Sequence, residues 1–363
     1  MIDKAVQLIA VALDRADSMD ARLTDKEWDE LNEFCYQQAI IGVTYSAIKK
    51  LPEDQRPYTD CLLSWHMDTR LIEQQNGRAN GYCVELTEHF RQAGYRSCIL
   101  KGQGNALMYP EPQYRQCGDI DIWLDGERKD ILRFVLNRYP DVHFAYHHVA
   151  YPLLKDAEVE VHYMPMYMTN PRSHRRLQRF FREQKEACFA NKVKLSEKDG
   201  EVAVPTPLFN AVYQMAHIFI HFLIEGIGLR HFMDYYYVLQ RLTEEERRTT
   251  AQELEGMNLY RFARAVMYIE KTVFGLEDDR LLCRPDEKGG QRLLDEVAQA
   301  GNFGQFETRF WKKGGGFVDK NWQKLRRNSR FLIDYPGEVA CEPMFRLYHA
   351  AWRTITKERY GKK

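Results

Sequence analysis

Residues 98–124 read CILKGQGNALMYPEPQYRQCGDIDIWL, and Asp119 to Ile122 alternate polar and apolar side chains with the period of a strand that runs on to Leu124. Alternation places Asp119 and Asp121 on one face. Two like charges side by side on a strand repel, and burying them is costly unless a cation or a donor compensates. A bound metal ion explains that arrangement directly. On repulsion alone, neutralising one of the pair is expected to preserve or improve folding.

Outward from this stretch the texture changes on both sides. Residues 1–93 have helical periodicity: KEWDELNEFCYQQAIIGVTYSAIKK ends at Leu51-Pro52, and a second helical run spans Asp60 to Ala93 with Gly94 as its cap. Arg96–Leu100 is a strand candidate, Gln103–Tyr109 a short helix, Asp119–Leu124 a strand and Glu127–Tyr139 a helix. Strand candidates follow at Val142–Leu154 and Glu158–Tyr163. A hairpin with turn residues at Lys198–Gly200 lies within KVKLSEKDGEVAVPTP. From Pro207 helical periodicity dominates, interrupted by GNFG at 301–304 and GGG at 314–316. The expected organisation is a helical segment at 1–93, an α/β core at 94–205 and a helical domain at 206–363.

The chain has 363 residues, 44% hydrophobic, with 52 basic and 52 acidic side chains. It is long enough for a sizeable core, and its zero formal charge sets up no global field for nucleic acid or an anionic membrane. Neither is an expected partner. Eight scattered cysteines without a CxxC pair argue against a zinc site or a disulfide framework and suit a reducing, cytoplasmic location. The N-terminal MIDKAVQLIAVALDRADS reads as an amphipathic helix, and no run of about 18 apolar residues predicts a membrane span.

Glu160 in EVEVHY, on a neighbouring strand, would complete a three-carboxylate cluster with Asp119 and Asp121 suited to Mg²⁺. Two such ions could activate a hydroxyl and neutralise a leaving pyrophosphate. Lys101, Arg115 and the amides near Gly102 and Gly104 would then supply donors to a triphosphate. Lys101 and Arg115 could instead be structural ion-pair partners of the acids.

The run LKG, a short helix, Tyr-Pro, an arginine and GDIDIWL together resemble the uncharacterised bacterial nucleotidyltransferase family of the DNA polymerase beta-like superfamily. EVEVHY, GIGLRHFMDYYYVL and GNFG extend the resemblance from about residue 95 to about 305. It implies an α+β fold: a small mixed-sheet nucleotidyltransferase core flanked by helices, with N-terminal helices and a helical C-terminal domain. It also implies Asp119 and Asp121 as metal ligands, with Glu160, or alternatively Glu158, as the third acid. The implied activity is Mg²⁺-dependent transfer of a nucleoside monophosphate from an NTP, ATP among them, to a hydroxyl of a small molecule or protein. Most superfamily members carry Gly-Ser or Gly-Gly after the first strand where this chain has Gly102-Gln103, which leaves open an inert nucleotide-binding or interaction module on the same fold.

Other clusters have ordinary readings. His217 and His221 lie one turn apart without the glutamate of a zincin motif, so packing is expected. Arg230 and Asp234 have the spacing of an intrahelical ion pair, although the resemblance puts their helix beside the nucleotide. Arg172, Arg175, Arg176, Arg179 and Arg182 form one basic face, solvated by default and otherwise a local clamp for a polyanion. Leu107 at the third glycine position argues against a dinucleotide fingerprint, and carboxylates near Cys117 argue against a nucleophilic thiol.

Overall fold

The computed structural model describes residues 1–196, 200–306 and 317–360. Residues 198–199 of the expected hairpin turn and the glycine run at 314–316 lie outside the described residues.

Four helices precede the sheet: α1 (Ile2–Ala12), α2 (Asp25–Gln37), α3 (Ile41–Lys50) and α4 (Thr59–Gln92). A capping box between Thr24 and Glu27 starts α2, and Gly94, with φ +88°, lets the chain reverse after α4, where the Tyr95 amide donates to Phe90. The helix expected to run on to Leu51 breaks at Gln38–Ile40, and Ala39 takes φ +56°. The break has a tertiary cause. Gln38 is buried, donates to the Val297 carbonyl, and accepts from the Leu229 amide through its side chain and from the Arg230 amide through its carbonyl. It thereby satisfies orphan donors at the start of a distant helix, which a continuous helix could not do.

The central sheet holds β1 (Ser97–Leu100), β2 (Ile120–Leu124), β3 (His148–Ala150) and β4 (Val159–His162) in the order β1-β2-β4-β3. β2 runs antiparallel to β1 and parallel to β4, and β3 closes the far edge antiparallel to β4. Of the span 142–154 read as strand, only His148–Ala150 pairs regularly, with a single bridge from Phe144 to Val149. α5 (Gly102–Ala106) follows β1, and α6 (Arg128–Arg138) follows β2. Ile120, Ile122, Leu124, Val159 and Val161 pack in one apolar cluster with Leu86 and Phe90 of α4 and Ile131 and Val135 of α6. Alternation therefore leaves Asp121, Trp123, Glu160 and His162 for the opposite face. Trp123 packs there on Phe189 and Phe209.

Phe189 belongs to α7 (Pro171–Ala190), and a small antiparallel pair, β5 (Lys192–Lys194) and β6 (Glu201–Ala203), follows it. Then come α8 (Pro207–Ile224), α9 (Leu229–Arg241), α10 (Glu244–Gly256), α11 (Tyr260–Thr272), α12 (Glu287–Ala300), α13 (Phe317–Ser329) and α14 (Pro336–Tyr360). α8 is long and apolar enough to cross a membrane, contrary to the sequence expectation, yet 78% of that window is buried inside the protein. A helix apolar all round and covered by its neighbours is a core helix. The architecture is α+β, a small mixed sheet among helices.

Candidate active site

The parallel register of β2 and β4 sets Asp121 directly against Glu160. Asp119 sits just before β2 and is half-buried, while Asp121 is 3% exposed. Glu158, the alternative third acid, is exposed, and its carbonyl accepts from the Ile120 amide. Glu160 is therefore the acid beside Asp121.

Asp121 and Glu160 have partners that the strand pattern does not reveal. Lys101 Nζ lies 3.0 Å from Asp121 Oδ2 and 2.9 Å from His217 Nε2, while His162 Nε2 lies 2.9 Å from Asp121 Oδ1. His148 Nδ1 is 3.0 Å and His162 Nε2 3.6 Å from Glu160 Oε2. Lys101 reaches Asp121 from a left-handed backbone, φ +49°. Such a conformation is uncommon outside glycine and costs energy that the surrounding contacts must offset.

These contacts set the charges. Burial disfavours ionisation of Asp121, but the Lys101 ammonium and the His162 hydrogen bond outweigh it and hold its carboxyl below the usual range. Burial likewise opposes His162, yet bonds to Asp121 and Glu160 raise it to about 9. Glu160 is kept well below its usual value, His148 and His162 overcoming its burial. Asp119 moves the other way: burial and the Asp121 charge raise it, with Lys101 offsetting only part. Asp121 is thus a stabilised ion, which overturns the expectation that neutralising it relieves a repulsion.

The remaining sequence candidates are placed differently. Arg115 and Asp234 form a buried fork, Nε to Oδ1 and Nη2 to Oδ2 at 2.7 Å each, and Tyr109 and Asn105 also donate to the carboxylate. The expected Arg230–Asp234 pair is replaced by this one, 119 residues apart in sequence. Arg230 is 8% exposed, donates to the Gln116 carbonyl, and its Nε has no hydrogen-bond partner among the described residues. Gly102 has φ +38°, whereas a Cβ on Gly104 would come within 2.9 Å of Val204, so its bareness serves packing. Gln103, the departure from the superfamily pattern, is buried and donates to Asn80 and Asn76 of α4. Its side chain ties α5 to α4.

His217 is buried against Lys101, and its ring lies 4.2 Å from that of His221, in line with packing. Cys117 is half-buried, and burial raises its thiol. On α7, Arg172, Arg175, Arg179 and Arg182 are exposed, and Arg176 pairs with Glu253. Sequence reasoning missed His148 and His162. His162 was within reach, since it stands two residues after Glu160 on the same face of a strand.

Ligand atoms of Asp121, Glu160 and His162 lie within 4.8 Å of one another. Hard oxygen donors with unbalanced charge at Asp119 fit a divalent cation.

No curated protein matches this chain. Among solved structures, an antigenic nucleotidyltransferase-like protein from Paracoccidioides brasiliensis is similar at 14% identity and a TM-score of 0.35, over 53% of this chain and 91% of that one. The model of the uncharacterised nucleotidyltransferase family matches residues 24–275, starting well before the expected residue 95 and ending before GNFG. That span holds α2 to α11, the whole central sheet and every acid described above, and the chain belongs to the uncharacterised nucleotidyltransferase family.

Proposed function

We propose that the chain transfers a nucleoside monophosphate from an NTP to a hydroxyl of a small-molecule or protein acceptor. The observation that carries this reading is Asp121 in register with Glu160, two residues after Asp119, in a chain of this family. The hydroxyl oxygen attacks the α-phosphorus, the bond to the bridging oxygen breaks, and pyrophosphate leaves. Mg²⁺, held by Asp119, Asp121 and Glu160, would neutralise charge developing on the phosphates and the attacking oxygen. Glu160, beside Asp121 in the sheet, would hold the catalytic metal and help take the hydroxyl proton. Lys101 orients Asp121. Arg230, a buried guanidinium with an unpartnered Nε, is the cation placed for a phosphate. Arg115 and Asp234 brace the site from behind, and residues 94–205 form the transfer core between the two helical segments. Kinship with the DNA polymerase beta-like superfamily and a reducing, intracellular location belong to the same reading.

A second reading, an inert nucleotide-binding module, draws on one observation: Lys101 and His162 already occupy both oxygens of Asp121. Calorimetry with the four NTPs, in Mg²⁺ and in EDTA, tests both readings when paired with pyrophosphate detection. At about 100 times its dissociation constant the right nucleotide should stabilise the fold by about 2.7 kcal/mol, in Mg²⁺ alone. Equal binding in EDTA sinks the metal assignment. Tight binding without pyrophosphate release in any acceptor-containing extract favours the module.

The basic face of α7 serves the acceptor in this reading. Arg175→Glu with Arg179→Glu should change stability by less than about 0.5 kcal/mol, because both side chains are exposed. The double variant should lose affinity for an anionic acceptor, and an unchanged Michaelis constant for it would return this face to solvent.

A further inference from the structure

Beside the acids lies a second cluster made of nitrogen rather than oxygen. His147 and His148 enter β3, and His148 is the register partner of His162 on β4. The His147 ring is 4.4 Å from that of His148 and 5.2 Å from that of His162, and the His148 and His162 rings are 5.2 Å apart. Ligand nitrogens of all three lie within 4.8 Å of one another. The Nδ1 atoms of His147 and His162 are buried without a hydrogen-bond partner among the described residues, while His148 Nδ1 lies 3.0 Å from Glu160 Oε2. Leaving one such atom unsatisfied costs about 1–3 kcal/mol, so two in neighbouring rings call for an explanation.

His162 supplies one. Its Nε2 is taken by Asp121 Oδ1 at 2.9 Å, which leaves Nδ1 as the nitrogen free to bind a metal once the ion displaces its proton. Metal-binding histidines commonly give their second nitrogen to a carboxylate in this way, which sets both tautomer and ring orientation. Three imidazoles suit a borderline divalent ion, whereas Mg²⁺ prefers oxygen ligands. Glu160, 3.0 Å from His148, stands ready as a fourth donor. Zinc–nitrogen bonds of about 2.1 Å require nitrogens roughly 3.4 Å apart, so nitrogens already within 4.8 Å of one another need only a small movement.

We propose that His147, His148 and His162 form a site for a borderline divalent metal of the zinc type, adjoining the acid cluster through His162. The 363-residue chain, stripped with chelator and held in excess Mg²⁺, is titrated with Co²⁺ and followed by visible absorption. One Co²⁺ should bind per chain and be displaced by Zn²⁺ but not by Mg²⁺. His147→Ala and His148→Ala should each weaken binding at least about 10-fold. Zinc-edge X-ray absorption of the wild type, which needs no variant to fold, should count three imidazoles. Binding unaltered in folded variants, or a shell of oxygens only, overturns the proposal. NTP binding by zinc-free protein in Mg²⁺ is measured separately, so failure of the nucleotidyl-transfer reading remains distinguishable from failure of this one.

Discussion

Asp121→Asn should lower pyrophosphate release by at least about two orders of magnitude, since loss of a residue that merely supports a metal ligand already costs 10- to 100-fold. It should also destabilise the fold. Asparagine keeps the shape but cannot hold both a Lys101 ammonium at 3.0 Å and a charged His162 at 2.9 Å. Hydrogen bonds to charged groups contribute about 1.5–3 kcal/mol each, and the amide retains part of one, which makes a net loss of about 2 kcal/mol reasonable.

The pH dependence gives this prediction a second readout. Asp121 is held low, so its stabilisation is present above the unfolded carboxyl value and lost as pH falls through the folded one. His162 is raised to about 9, so its contribution is complete below the unfolded imidazole value and disappears as pH rises through about 9. Urea titrations of the metal-free wild type should show stability declining on the alkaline side of neutrality. In Asp121→Asn that decline should flatten, because His162 loses its nearest carboxylate. A variant as stable as wild type with an unchanged alkaline slope would show that Asp121 and His162 do not hold each other.

Arg115→Ala should cost about 3–5 kcal/mol, the usual range for removing one partner of a buried ion pair. Arg115 and Asp234 are each 4% exposed, and the fork supplies two of the four donors to the carboxylate. Without it the charge keeps hydrogen bonds from Tyr109 and Asn105 only, with Arg230 as its remaining cationic neighbour. In the wild type Arg115 overcomes burial and keeps the Asp234 carboxyl low. In the variant burial prevails and the value rises, so the folded state favours the neutral acid and regains stability as pH falls. Denaturant midpoints at pH 5 and pH 7.5 test the sign: the gap between wild type and variant should narrow at the lower pH. Replacing both partners with apolar residues, Arg115→Met with Asp234→Leu, should cost less than the single change, because no charge is then left unpaired. A loss below about 1 kcal/mol for Arg115→Ala would mean that water reaches Asp234.

Local patterning was enough to place the strands of the candidate site. In GDIDIWL and EVEVHY the period of two assigns apolar side chains to one face and Asp119, Asp121, Glu160 and His162 to the other, whatever the rest of the chain does. The cap at Gly94 was likewise local, because it serves backbone groups within one turn. Partners were not local. Asp234 had two arginines available, one four residues before it on its own helix and one 119 residues away, and only the packing of α9 against the segment after α5 chose Arg115. The same packing broke a periodic helix at Gln38 to serve the start of α9, and drew Gln103 to α4. Sequence periodicity states which way a side chain faces. Which charge meets it there depends on the meeting of elements far apart in the chain, and burial then decides the protonation state, raising Asp119 while Asp121, two residues on, is held low.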